Sequence, residues 1–399
     1  MKICFWIGSA LYRQWGTSRV VKTVASEFAK THEVYIVGTK GDTKRAAFFK
    51  DAKKHNLKIK KMPAAEKVYQ PKTKGPDGLR RKLVRFANRK FGFFQGTNQT
   101  DILKDALCPA EYTEKFTQFF ITQEYDVIIA VGREIYWLAV MANKLGNNIK
   151  KIGWCHNTYD EYVLKKNGIF WRKEEMIKKY FPDLDHLVLL NPFDAKDFNE
   201  KLGLNATSIS NPLTYTSKTK TKMKNKQFFF AGRLNGQKGP DLLINAFEHF
   251  CKHNKDWTLV MAGDGVQRKT LINTIWRKKL QDRVRMLGYQ TQMRKNYLES
   301  SVYLMSSRFE GWGLVVTEAF EFGLPVIAFD ITPLELMIET GVNGVLVEKE
   351  NTKAFAAAML KLANDHELRY RMSLSAAKKA TEFSINKICS QWEALIGTN

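Results

Sequence analysis

No window of the chain approaches the roughly 18 consecutive apolar residues of a membrane-spanning helix. The opening run Met1-Lys2-Ile3-Cys4-Phe5-Trp6-Ile7 meets Gly8 and Arg13. That is too short for the apolar region and cleavage site of a signal peptide, and it reads as a first β-strand. Cysteine is scarce: the five (Cys4, Cys108, Cys155, Cys251, Cys389) lie far apart, with no Cys-x-x-Cys spacing. This argues against a disulfide framework or a zinc site and fits a reducing compartment, so the expected location is cytoplasmic. Acidic residues are also in deficit, 40 against 64 Lys and Arg, for a net charge of +24 over 399 residues. What is abundant is apolar and aromatic: 44% hydrophobic and 12% aromatic residues describe a globular protein with room for two cored domains.

The excess charge is unevenly spread. Residues 43–94 hold seventeen Lys and Arg against three acids (Asp51, Glu66, Asp77), or +14. Its runs are Lys58-Ile59-Lys60-Lys61, Arg80-Arg81-Lys82 and Arg85-Phe86-Ala87-Asn88-Arg89-Lys90, the last interleaved with Phe86, Phe91, Phe93 and Phe94. Basic residues beside aromatics suit an anionic membrane surface. They also suit nucleic acid, but no nucleic-acid-binding motif accompanies them and none is expected as a partner. The plain alternative is a solvated lysine-rich surface.

Short apolar, β-rich runs alternate with helical ones along most of the chain, which implies doubly wound parallel sheets. The first α/β domain is expected over residues 1–215, with strands at Ile3–Ile7, Glu33–Val37, Val127–Val131, Lys151–Trp154 and from His186. Residues 216–226, Lys-rich and of low complexity, read as a linker. A second α/β domain is expected over 227–380, with strands at Phe228–Ala231, Thr258–Ala262, Val284–Leu287, Val326–Phe329 and Gly344–Val347, and a helix at Pro333–Thr340. Residues 381–399 read as a C-terminal helix able to pack back on the first domain. Ligands of such sheets bind at the carboxyl ends of the strands.

Two stretches carry chemistry. Ser306-Ser307-Arg308-Phe309-Glu310-Gly311-Trp312-Gly313 follows a buried strand and precedes a helical run, placing Glu310 and Glu318 eight positions apart. A strand, a glycine turn and a helix start expose backbone N–H groups that attract an anion, best fitted by a nucleotide diphosphate. The second is Gly232-Arg233-Leu234-Asn235-Gly236-Gln237-Lys238-Gly239. Arg233 and Lys238 can place a bidentate guanidinium and a point charge on one diphosphate. Their charge also offsets the two glutamates, which would otherwise repel that anion. Asp183-Leu184-Asp185 superficially matches an Asp-x-Asp metal signature, but it precedes a strand and reads as loop and cap chemistry; no metal is expected.

Taken together, Gly232-Arg233…Lys238-Gly239, Gly263-Asp264-Gly265, Leu287-Gly288-Tyr289, Glu310-x7-Glu318 and Gly323-Leu324-Pro325 resemble the retaining GT-B glycosyltransferases of family four, the group-one transferases. The likeness covers about Phe228 to Ala380 and is looser in the first domain. It implies a GT-B fold, two Rossmann-like domains facing across a cleft. It implies that Arg233 and Lys238 bind the donor diphosphate, that Glu318 holds the ribose hydroxyls, and that Glu310 faces the transferred sugar. Gly313 and Leu314 would meet phosphate and sugar through their backbone, and Tyr289 would lie by the base. In the first domain the loop Gly8 to Thr17 takes the family's glycine-rich position, with Gly16 as a donor contact, although the usual paired glycines are absent. His156, ending a strand in Gly-Trp-Cys-His, stands where the family often has a histidine touching sugar or acceptor; a hydrogen-bonded structural histidine is the bland alternative. The implied partners are a nucleotide sugar, a glycan or lipid-linked acceptor, and an anionic membrane surface through residues 43–94. No cofactor is implied. A GT-B-fold nucleotide-sugar epimerase is the nearest rival, and a basic nucleic-acid-binding protein a more distant one.

Overall fold

In the computed structural model, which describes residues 1–8, 16–38, 52, 54–62 and 76–397, the chain divides into two units. One is Met1–Pro212 with Ile385–Asn399, the other Leu213–Ser384. The loop at 9–15 and most of 43–75 in the basic segment lie outside the described residues. Among those described, no helix is long and apolar enough to cross a membrane.

The first unit holds strands β1 (Lys2–Trp6), β2 (Glu33–Gly38), β3 (Lys58–Lys61), β4 (Val127–Val131), β5 (Lys150–Trp154), β6 (His186–Leu189) and β7 (Ala206–Ser208). They form one sheet in the order β3-β2-β1-β4-β5-β6-β7, with every pairing parallel. The near-continuous burial of β1 and β4 explains their unbroken apolar sequences: a parallel sheet is covered on both faces. One basic run has a structural use here. Lys58-Ile59-Lys60-Lys61 is the edge strand β3, paired with β2, and lysines on an edge deter further strands. Lys58 pairs with Glu33, and the Lys60 ammonium lies 4.6 Å from the Tyr35 ring centroid.

The C-terminal helix Ile385–Gly397 belongs to this unit. Trp392 packs edge-on to Trp154 at 4.7 Å, and His32 Nε2 lies 3.0 Å from Glu393. Lys150 Nζ donates to the Leu395 and Ile396 carbonyls at 3.3 and 3.2 Å, a cation at the helix end where the dipole favours one.

The second unit holds β8 (Gln227–Ala231), β9 (Thr258–Ala262), β10 (Val284–Gly288), β11 (Val302–Met305), β12 (Val326–Phe329) and β13 (Gly344–Val347). Its parallel order is β10-β9-β8-β11-β12-β13. The order reverses between β8 and β11, so the loops leaving these two neighbouring strands lie side by side at the switch point, where such sheets bind ligands.

Two expectations need correction. Residues 216–226 are not a free linker but lie along the second unit. Ser217 N–H donates to Glu321 at 2.6 Å, Thr221 Oγ1 to the Ser300 carbonyl at 2.6 Å, and Met223 is buried. The polar residues between the lysines supply bonds that composition alone hides. Nor is Pro333–Thr340 a helix: only a single 3₁₀ turn forms, at Leu334–Leu336. Ile331, Leu334, Met337 and Ile338 have helical spacing, yet each is buried from an irregular loop.

Candidate active site

The loops following β8 and β11 are joined along their length. Arg308 N–H donates to the Gln237 carbonyl at 2.8 Å, Gln237 Nε2 to the Phe309 carbonyl at 3.4 Å, and Ser306 Oγ to the Lys238 carbonyl at 3.0 Å. Gly239 closes the first loop in the left-handed region (φ 57°), and a Cβ there would run into the Ser306 carbonyl oxygen. Pro240 then opens the helix Pro240–Cys251, its fixed φ suiting the first helical position.

Inside this frame Lys238 Nζ meets Glu310 Oε1 at 2.5 Å, with both side chains largely buried. Ser307 Oγ donates to the same oxygen at 2.6 Å. Among the described residues Oε2 of Glu310 has no hydrogen-bond partner, so one carboxylate oxygen is held and the other is available. Arg233 donates to Gln237 Oε1 at 3.2 Å and is exposed at the loop surface. Lys238 and Glu310, expected from separate motifs, are therefore brought together directly, and Arg233 sits on the same loop as Lys238.

Trp312 is buried and packs edge-on to Phe383 at 5.6 Å, anchoring the Gly-Trp-Gly turn in the core. Gly313 follows with φ 94°, capping the helix Leu314–Glu321 where a Cβ would lie 2.9 Å from Leu334 Cδ2. Val316 N–H donates to the Gly313 carbonyl at 2.8 Å, and the Leu314 and Val315 N–H groups precede any intrahelical acceptor, an arrangement that favours an anion at the helix start. One turn further on, Glu318 is buried: Oε1 accepts from Thr214 Oγ1 at 2.7 Å and Oε2 from Tyr297 at 3.0 Å. Tyr289, just past the end of β10, has its ring largely exposed, as a stacking platform for a planar ligand requires.

Sequence reasoning missed the residues that hold these groups. Arg308 donates to Asp241 through both terminal nitrogens, at 3.1 and 2.7 Å, and to the Gly236 carbonyl at 2.8 Å. Burial pushes the Asp241 carboxyl up, but the Arg308 bonds and charge outweigh it and hold it below its ordinary value. Arg308 and Ser307 adjoin Glu310 in sequence, so their proximity was a usable signal. Thr214 and Tyr297 had none, lying 104 and 21 positions from Glu318.

His156 and Gly16 belong to the first unit. Gly16 opens the helix Gly16–Phe28. His156 follows β5, with its ring 4.5 Å from that of Trp154 and its backbone N–H donating to Tyr162 Oη at 3.0 Å. The residue is partly exposed, but Nε2 is buried with no partner among the described residues. Burial lowers its pKa to about 3, so the imidazole is neutral at physiological pH. Asp183 and Asp185 are engaged locally, Asp183 by Asn143 at 2.8 Å and Asp185 by the Lys151 N–H at 2.6 Å.

Residues 214–379 match the family model described as glycosyl transferases group 1. The matched stretch lies wholly within the second unit, and that unit is similar to the group 1 glycosyl transferases. The chain is 29% identical over 289 residues to a Haemophilus influenzae protein named as an uncharacterized glycosyltransferase, covering 71% of this chain and 80% of that one. A poly(ribitol-phosphate) α-N-acetylglucosaminyltransferase of Staphylococcus aureus is 27% identical, over 62% of this chain and about half (52%) of its own length. The crystal structure of TarM superposes with a TM-score of 0.76 at 18% identity, covering 100% of this chain and 99% of that one. HepE of Anabaena, solved in complex with UDP, gives 0.73 at 17% identity, with both chains fully covered. The chain thus has the GT-B fold, with two parallel-sheet α/β domains.

Proposed function

We propose that this transferase moves a sugar, with retention of anomeric configuration, from a nucleotide diphosphate sugar to a lipid-linked glycan or cell-envelope polymer at the cytoplasmic face of a membrane. The observation that carries the reading is the Lys238–Glu310 pair, set beside the helix start at Gly313 and on the loop bearing Arg233. Arg233, Lys238 and the helix start stabilise charge on the departing diphosphate, where fixed donors contribute most. No metal is assigned to that task. Glu310 takes the transferred sugar, Glu318 the ribose hydroxyls, and Tyr289 the base. Neutral His156 serves as a hydrogen-bonding group toward sugar or acceptor.

UDP is the favoured nucleotide, since the similar HepE was solved with it. The polymer acceptor follows from the poly(ribitol-phosphate) relative and from one named for amylovoran biosynthesis in Erwinia amylovora. The basic segment 43–94 is read as the attachment to an anionic membrane surface.

Incubation with a panel of nucleotide sugars, without acceptor, tests the reading. Thermal stabilisation by one donor and its slow hydrolysis to a sugar of unchanged anomeric configuration are expected. Epimerised donor would replace the reading with an epimerase, and inverted product would remove retention.

A further inference from the structure

The helix Pro76–Phe91 carries six Lys and Arg and a single acid, Asp77. One of its faces is held by protein. Asn88 is buried, donating to the Arg172 carbonyl at 2.8 Å and accepting from Phe94 N–H at 3.2 Å. Arg81 on the same side lies 4.0 Å from Asp105 and 3.6 Å from Glu111.

The opposite face is apolar and open. At about 100° per residue, Leu79, Leu83, Phe86 and Lys90 fall on one line of the helix, with Lys82 and Arg89 on one flank and Arg80 on the other. Leu79, Leu83, Phe86, Phe91 and Phe93 are 47–62% exposed. Past the helix end Phe93 stacks on Phe91 at 5.3 Å, and Lys90 Nζ lies 5.6 Å from the Phe86 ring and 5.1 Å from Phe91. Lys90 thus lies over the aromatic rings while remaining exposed at the surface, as a snorkelling side chain does.

We infer that this face inserts into the headgroup region of a bilayer containing anionic lipid, with Leu79, Leu83, Phe86 and Phe93 as the inserted side chains. The inference rests on the membrane reading proposed above and narrows it to one helix and its apolar residues. Lys and Arg flanking a Phe/Leu stripe fit a helix lying in the interfacial plane. A protein partner would find a lysine-rich face of the kind interfaces exclude from their centres. A second copy would oppose like charges, and a nucleic acid would engage the basic flanks but leave the leucines in water.

Vesicle flotation of the full chain decides the matter, comparing phosphatidylcholine alone with phosphatidylcholine plus phosphatidylglycerol. The wild type is expected to float with the anionic vesicles only. The variant Leu83→Gln/Phe86→Gln/Phe93→Gln, unchanged in charge, is expected to partition at least about tenfold more weakly. Its unfolding temperature and donor hydrolysis should match the wild type, which separates a docking failure from a failure of the transferase reading. Phe93→Gln alone, outside the helix, gives a smaller loss in the same direction. Undiminished flotation of the triple variant, with flotation lost in Lys82→Gln/Arg89→Gln/Lys90→Gln, would overturn insertion and leave a purely electrostatic attachment. A wild type that floats with neither vesicle would overturn both readings.

Discussion

The loop Gly232–Gly239 and the helix Pro76–Phe91 are both basic, yet their cations are used in opposite ways. Lys238 is largely buried and held 2.5 Å from Glu310, inside loops bonded to one another through both backbone and side chains. Arg80, Lys82, Arg89 and Lys90 stand at the surface beside exposed leucines and phenylalanines. Charge meant to act at one point must be fixed before its ligand arrives, because ordering it later forfeits its electrostatic advantage. Charge that meets a fluid surface needs no single geometry, and its contributions simply accumulate.

The largest effect should come from removing the fixed carboxylate. Glu310→Gln keeps the shape but leaves the Lys238 ammonium without its counter-charge, and turnover of the donor is expected to fall by on the order of a hundredfold or more. Unfolding should cost about 3 kcal/mol less, as when one partner of a buried pair is removed. Near-normal turnover would end the assignment of Glu310 and erase the contrast.

Gly239→Ala tests how rigidly the loop is built. A left-handed non-glycine residue costs about 1–2 kcal/mol by itself, and the Ser306 carbonyl adds to that. A stability loss of about 2 kcal/mol or more is expected in denaturant unfolding, and an unchanged midpoint would show that the loop yields.

Arg308→Ala removes the brace and not the clamp. The donor KM should rise about tenfold with kcat little altered, in keeping with about 1–3 kcal/mol for a charge-assisted bond lost to a positioning group. Arg308→Lys, lacking the fork that grips Asp241, should recover only part of it. A fall in kcat at constant KM would instead place Arg308 at the reacting atoms.

The smallest effect concerns His156. Its folded pKa of about 3 lies below the unfolded value near 6.5, so the unfolded chain binds the extra proton between those limits. Its stabilising contribution is full above about pH 6.5 and is lost as the pH falls toward 3. Imidazole resonances followed by NMR should show no titration of His156 between about pH 5 and 8. A midpoint near 6.5 would mean that burial does not govern this ring.

How much of this was legible beforehand varies with physical cause. Strands β1, β4, β8, β9 and β12 announce themselves because burial on both faces of a parallel sheet demands unbroken apolar runs. Edge strand β3 was hidden, since Lys58, Lys60 and Lys61 read as solvated charge until β2 is seen beside it. The helix Pro76–Phe91 was masked in the same way by its basic residues. The 3₁₀ turn at Leu334–Leu336 shows the reverse error, a helical period met by buried residues of an irregular loop.

The sequence by itself determined which charged groups are available: Arg233 and Lys238 after one strand, and Glu310 and Glu318 around a glycine turn after another. Spacing could do this because a strand, a tight turn and a helix start are local structures. Only the tertiary structure decided that the two loops meet, because the sheet order reverses between β8 and β11. It also decided that Arg308 braces them and that Thr214 and Tyr297 fix Glu318. Those partners are distant in sequence, and only the packing of the sheet brings them within bonding range.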